Sequence, residues 1–251
     1  VLIAAFVYPL LVMATRSVGA EVSFGYYLDI ASDPRYLRSF LFTTYLALLS
    51  TLGALAICLP VAFYLERRPS RGKRLAAAAL TLPLSLPGIV IGFFIILGFG
   101  RTGVVTRVIE GATGWRNPQI AFTFWGLLLG YVYFQIPRVV LVLRGAIANL
   151  HPDVLSVART LGLTPSAVFL RVVLPSLAPA ILNAATLSLA TAYGAFGTAA
   201  TLSRGVRVIP LEIAALFTER FQPERAAALS VVLALVTMGL MVALSRLRRR
   251  L

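Results

Sequence analysis

Long apolar runs separated by short polar or basic turns organise this chain. A helix needs ~20 mainly apolar residues to cross about 30 Å of hydrocarbon. Six runs qualify as candidates: residues 2–14, 39–65, 75–99, 120–143, 177–200 and 226–244. The first is short, and the chain opens on Val1 rather than methionine, so this helix is expected to continue upstream. A cleavable leader would need a basic start and a small-residue cleavage site, which the run lacks, and more runs follow it. Pro83 and Pro87 in the third run and Pro137 in the fourth are tolerable where neighbours or water satisfy the freed carbonyls. The pattern therefore predicts an all-α, polytopic membrane protein with six transmembrane helices, residues 1–251 forming one transmembrane domain.

Composition sharpens that reading. Hydrophobic residues make up 59% and charged residues 13%, against about 25% charged in soluble domains. Mean hydropathy is +0.89. Disorder needs the opposite balance, and a disulfide scaffold is excluded because Cys58 is the one cysteine. The net charge of +14 would suggest nucleic acid in a soluble protein; here it is expected to be topology, with membrane lipid as the partner and no nucleic acid. The densest basic clusters are Glu66-Arg67-Arg68-Pro69-Ser70-Arg71-Gly72-Lys73-Arg74 and the closing Arg246, Arg248, Arg249 and Arg250. Both adjoin ends of apolar runs, where positive charge fixes orientation. They predict cytoplasmic termini in a multi-pass bacterial inner (cytoplasmic) membrane protein.

Several activities lack their residues. No acidic residue lies well inside an apolar run, so a carboxylate proton relay is missing. His151 is the single histidine and falls in a loop, leaving no metal cluster. Gly72-Lys73 is followed by Arg74, without the upstream glycine of a phosphate-binding loop. No catalytic residue and no cofactor are expected on this chain. If ATP powers transport here, a separate subunit must bind it.

The stretch 151–175 reads as two short helices joined by a turn. Pro152 suits a first helical turn, and Gly162 stands where a left-handed residue would stop the helix. Thr164 followed by Pro165 repeats the start signal, and Pro175 ends or bends the second helix. Leu155, Ala158 and Leu161 give the first helix one apolar face, widened by Val154 and Val157. Such a helix fits a groove on another protein or lies against lipid headgroups.

The spacing of this stretch resembles the cytoplasmic signature of binding-protein-dependent ABC importer permeases: Glu-Ala-Ala, three residues, Gly, nine residues, Ile, any residue, Leu-Pro. Here it stands as Ser156-Val157-Ala158, Gly162, then Val172-Val173-Leu174-Pro175, with both gaps kept. Ser156 replaces the glutamate and Val157 an alanine, which removes one charge that could pair with the ATPase, while Arg159 offers another polar contact. The likeness runs from the second span to the end of the chain. It implies that the loop at about 144–176 is a cytoplasmic coupling helix pair. Leu155, Ser156, Val157, Ala158, Arg159, Leu161 and Gly162 would dock into an ABC ATPase, and Leu174 and Pro175 would set the return to the fifth span. The implied partners are an ABC ATPase dimer carrying ATP and Mg, a second permease subunit (copy or paralogue), and a periplasmic or lipid-anchored solute-binding protein.

Tyr131-Val132-Tyr133-Phe134-Gln135-Ile136-Pro137 and Tyr193-Gly194-Ala195-Phe196-Gly197-Thr198 resemble the spermidine/putrescine, thiamine, ferric iron and aminoalkylphosphonate permeases. That implies polyamine as a first cargo, with the others as alternatives. Tyr131, Phe134, Gln135, Arg138, Asn183, Thr186, Thr191 and Tyr193 are candidate passage residues. Small and polar residues on a membrane helix also serve helix packing, and Arg138 has snorkelling to the interface open to it. Residues 103–114 and 210–221 read as outer amphipathic helices, the second with Leu211, Ile213, Leu216 and Phe217 opposite Glu212, Glu219 and Arg220. A secondary transporter or channel is the rival class. Inverted repeats or an intramembrane ion pair would favour it, and the sequence displays neither.

Overall fold

The computed structural model describes residues 2–19, 24–66, 70–115, 118–150 and 160–248. Among them every regular element is helical. In chain order these are α1 (Leu2–Ser17), α2 (Gly25–Ser32), α3 (Pro34–Glu66), α4 (Arg71–Thr81), α5 (Gly88–Phe99) and α6 (Val104–Thr113). They continue as α7 (Phe124–Ala148), α8 (Pro165–Ser176), α9 (Ala178–Tyr193), α10 (Phe196–Leu202), α11 (Ile209–Thr218) and α12 (Pro223–Arg248).

Four stretches among the described residues are long and apolar enough to cross a membrane: Pro34–Glu66, Gly88–Thr113, Phe124–Ala148 and Pro223–Leu247. The pair α8 and α9, bent by 67° at Leu177, makes a fifth if counted as one span. The expected six spans therefore do not all appear as continuous helices. The third apolar run divides into α4, a tight turn at Leu82–Ser85 and α5. Pro83 and Pro87 supply no N–H, and a proline pushes the residue before it toward extended backbone; Leu86 sits at ψ 129°. The fifth run breaks between α9 and α10 at Gly194-Ala195. The first, α1, has 16 residues and packs along α12.

The scaffold is α3 against α7, the most extensive helix pair, with α9 packed on both. The 33 residues of α3 span roughly 50 Å at 1.5 Å per residue, so it threads three successive clusters. Ile30, Tyr36, Ile209, Leu216 and Leu229 pack at one end. Leu46, Leu127, Tyr131, Leu189 and Tyr193 fill the middle. Cys58, Val139, Leu143, Val168 and Leu177 pack at the other end. By contrast α12 turns Leu235, Met238 and Val242 outward.

Side chains also carry backbone bonding across the breaks. The Thr198 hydroxyl donates to the Gly88 carbonyl at 3.1 Å, and Tyr131 donates to the Ala195 carbonyl at 3.2 Å. Both bonds cross from one helix to the start of another and fasten the interrupted spans to their neighbours. The crossing of α5 and α10 is tight enough to demand glycine. A Cβ on Gly92 would stand 1.6 Å from Thr201 Oγ1, and one on Gly197 would stand 2.8 Å from the Ile89 nitrogen. Gly88 and Gly92 on α5 thus meet Gly197 and Thr201 on α10, a small-xxx-small pair on each side.

The outer amphipathic reading needs one correction. On α11 the inward residues are Ile209, Glu212 and Leu216, and Phe217 is exposed. Glu212 was expected on the polar face; instead it is 1% exposed because Arg35 and Arg207 neutralise it from above.

Candidate functional site

The 151–175 stretch is described from Thr160 onward. Leu155, Ser156, Val157, Ala158 and Arg159 lie outside the described residues. Gly162 takes φ +79°, the left-handed stop expected of it, with open space around the position a Cβ would occupy. The Thr164 hydroxyl accepts from the Ala167 N–H at 3.4 Å, and Pro165 occupies the first turn of α8. The start signal read from the sequence is therefore built as expected.

Inside α8 the turn widens to a π-helical one at Phe169–Val173. Pro175 follows, and its ring would clash with the carbonyl four residues back in a regular helix. A widened turn relieves that clash, and the chain then bends into α9. Leu174 is half-buried and Pro175 exposed beside the bend. Val168, Val173 and Leu177 are buried against α3 and α7, and Phe169 meets Phe63 edge-on at 5.4 Å. Leu170 on α8 and Leu161 in the turn before it are exposed, Leu161 at 76%. Thus α8 presents Leu170 outward while Val168, Phe169 and Val173 pack toward the main helix pair. Arg144 and Glu66 form an ion pair that ties α7 to α3 at the same end.

The candidate passage residues do not converge on one cavity. Gln135 is wholly buried: its Nε2 donates to Ser50 Oγ at 2.7 Å and its Oε1 accepts from Thr51 Oγ1 at 3.2 Å. Tyr193 is buried too and donates to Thr44 Oγ1 at 2.7 Å. With Tyr131 bonded to Ala195, these three fasten α3, α7, α9 and α10 to one another. Arg138 folds back on its own helix, donating to the Phe134 carbonyl at 2.7 Å with its guanidinium 4.4 Å from the Phe134 ring centre. Asn183 and Thr186 line a recess of about 330 Å³ between α9 and α12, with Met238, Met241 and Ser245. Thr191 bonds the Leu187 carbonyl on the outward side of α9.

Gln135→Leu is expected to lower the melting temperature, since an interhelical side-chain bond in a membrane contributes about 0.6–2 kcal/mol. Solute affinity in uptake should stay unchanged. A raised half-saturation concentration with an unchanged melt would instead place Gln135 in the passage.

Sequence reading missed a second polar site at the opposite end. Glu212 accepts from Arg35 Nε at 3.3 Å and lies 3.8 Å from Arg207 Nε. Nearby, Arg225 pairs with Asp29 at 2.9 Å. Arg35, Arg38, Ser39 and Phe42 share one face of α3 at i, i+3, i+4 and i+7, a spacing legible in the sequence.

The described residues thus form an all-helical body with apolar spans, one of them bent at Leu177. Residues 56–251 match the family of binding-protein-dependent transport system inner membrane components, and the chain belongs to it. Among its relatives is ModB, a molybdenum transport system permease protein of Mycobacterium bovis, 32% identical over 236 residues, covering 90% of this chain and 87% of the relative. The probable sulfate transport system permease protein cysT of Marchantia polymorpha is 28% identical over 195 residues, covering 78% of this chain and 66% of the relative. The fold matches that of a chain in a bacterial alginate ABC transporter bound to its periplasmic protein, with a TM-score of 0.84 at 17% identity over 98% of this chain and 89% of that one.

Proposed function

We propose that this chain is the permease of an ATP-driven importer whose cargo is a tetrahedral oxyanion such as molybdate or sulfate. Supporting this reading are the matches, over most of the chain, to molybdenum and sulfate permeases. The polyamine expectation has no support among these relatives. Chemistry agrees: the buried polar groups of the described spans are hydroxyls, Gln135 and backbone, with carboxylates such as Glu66 and Glu212 confined to helix ends. A polycation would find little negative charge on that route, whereas an oxyanion needs only donors.

In this reading the 151–175 segment docks into an ATPase dimer in the cytoplasm, where the termini also lie. A second permease, copy or paralogue, covers the outward faces of α9 and α12, and Asn183, Thr186 and Thr191 line the passage between them. Cargo arrives from a solute-binding protein at the opposite end. ATP is hydrolysed on the partner, and closure of the ATPase pair pulls α8 and, through Phe63 and Phe169, the α3–α7 pair. The test is reconstitution of the complete importer in vesicles with radiolabelled molybdate, sulfate and spermidine. ATP-dependent accumulation of either oxyanion and none of spermidine is expected; spermidine uptake overturns the cargo assignment.

A further inference from the structure

The end of the molecule opposite Gly162 carries a recess of about 540 Å³ between the first turns of α3, the 203–208 segment and α11. Its lining includes Arg35, Arg38, Arg207 and Glu212, three guanidinium groups and one carboxylate. The geometry that brings them together is local and specific. Gly205, at φ +75°, reverses the chain after α10, and the Ile209 N–H is pinned to Thr43 Oγ1 at 3.0 Å. Arg207 is thereby held over α3. Glu212, sealed from solvent, steers Arg35 and Arg207 through its Oε1. Arg38 has no ion-pair partner among the described residues.

Charge counting decides what such a recess wants. Three cations less one carboxylate leave a surplus of two positive charges in one concavity. The guanidinium groups are half-exposed, about 41–45% for Arg35 and Arg207, so a small ligand reaches them from water. Planar N–H forks recognise oxyanion edges in pairs. We infer that this recess is a binding site for a doubly charged tetrahedral oxyanion, the first station of the cargo on the permease. The inference deepens the oxyanion-import reading and rests on it for the cargo role, though not for anion binding itself. Glu212 does not bind the anion; it sets the positions of two of its ligands.

The test uses the permease with its ATPase, in phosphatidylcholine nanodiscs without binding protein, titrated with radiolabelled sulfate and with molybdate. Saturable binding that weakens with added sodium chloride is expected, as for partly exposed charges. Arg38→Gln and Arg207→Gln should each weaken it about tenfold, the weight of one charge-assisted hydrogen bond. Arg38→Lys should retain most of it. Arg225→Gln removes the same charge at the same end, from the Asp29 pair, and should leave binding unchanged.

Equal loss in Arg225→Gln would reduce the effect to bulk charge and overturn the site. Displacement of sulfate by phosphatidylglycerol in wild type but not in Arg38→Gln would assign the anion site to lipid headgroups and overturn its cargo role. Uptake by the same proteins reconstituted with the binding protein in sealed vesicles separates this inference from the reading beneath it. Wild-type import of oxyanion without recess binding sinks the station alone. Recess binding without import of either anion sinks the cargo assignment and leaves an anion site.

Discussion

Gly92→Ala should destabilise the membrane body by about 1–3 kcal/mol, the usual range for overpacking a tight interface. The added Cβ would lie 1.6 Å from Thr201 Oγ1 and 2.7 Å from Thr201 Cβ. Rotation about χ1 moves the hydroxyl away, but no rotation moves Thr201 Cβ, so α5 and α10 must separate. Separation breaks the bond from Thr198 Oγ1 to the Gly88 carbonyl at 3.1 Å, and lipid offers the freed hydroxyl no acceptor. A melt shift of about 2–4 °C per kcal/mol is expected for a chain of this size. Cys58 is the single cysteine and is buried, so a thiol-reactive dye reports the transition. Rescue discriminates the cause. Gly92→Ala with Thr201→Gly should recover most of the loss, whereas Thr201→Ala keeps the offending Cβ and should not. Rescue by both, or a Gly92→Ala melt identical to wild type, would refute the close-crossing explanation.

What the sequence disclosed follows how local each determinant is. Gly162, Thr164 and Pro165 were legible because stop and start signals depend on a few neighbouring residues, and the structure gives φ +79° at the first and a hydroxyl cap at the second. The break in the third apolar run was not read, although Pro83 and Pro87 were visible. An average of hydropathy passes smoothly over a turn when both flanks are apolar. Gly88 and Gly92 show their spacing openly, but the partner surface at Gly197 and Thr201 is over a hundred residues away. Glu212 failed for a different reason. Amphipathic patterning assigns charge to water, and only the fold brings Arg35, 177 positions earlier in the chain, to its side. Of the passage candidates, Gln135 carries an amide that is costly to bury without partners, and the structure supplies them on α3, while Tyr131 and Tyr193 also bond across to neighbouring segments.

Gly162→Val should cut coupled transport about tenfold or more while leaving the membrane body intact. At φ +79° a non-glycine residue costs about 1–2 kcal/mol, and a β-branched one belongs to the rarest occupants of that region. Open space surrounds the site, so steric contact is not the cause and the penalty acts on the turn alone. A turn displaced from this geometry re-aims the chain that leads into it relative to α8, whose side chains Val168, Val173 and Phe169 pack on the main helix pair. On the proposed docking, an ATPase groove that receives this turn and α8 together then loses its register. Loss of at least about tenfold in ATP-driven uptake is expected, following from a penalty near 1.4 kcal/mol on the docked state, with loss of the ATPase on copurification and an unchanged melt. Gly162→Asn is the control, because asparagine visits the left-handed region more readily than other side chains. It should retain the ATPase and most of the uptake, with Gly162→Ala between the two. If valine holds the ATPase as well as glycine does, the turn is not part of the docking element, and the link from α8 into α3 and α7 loses its input.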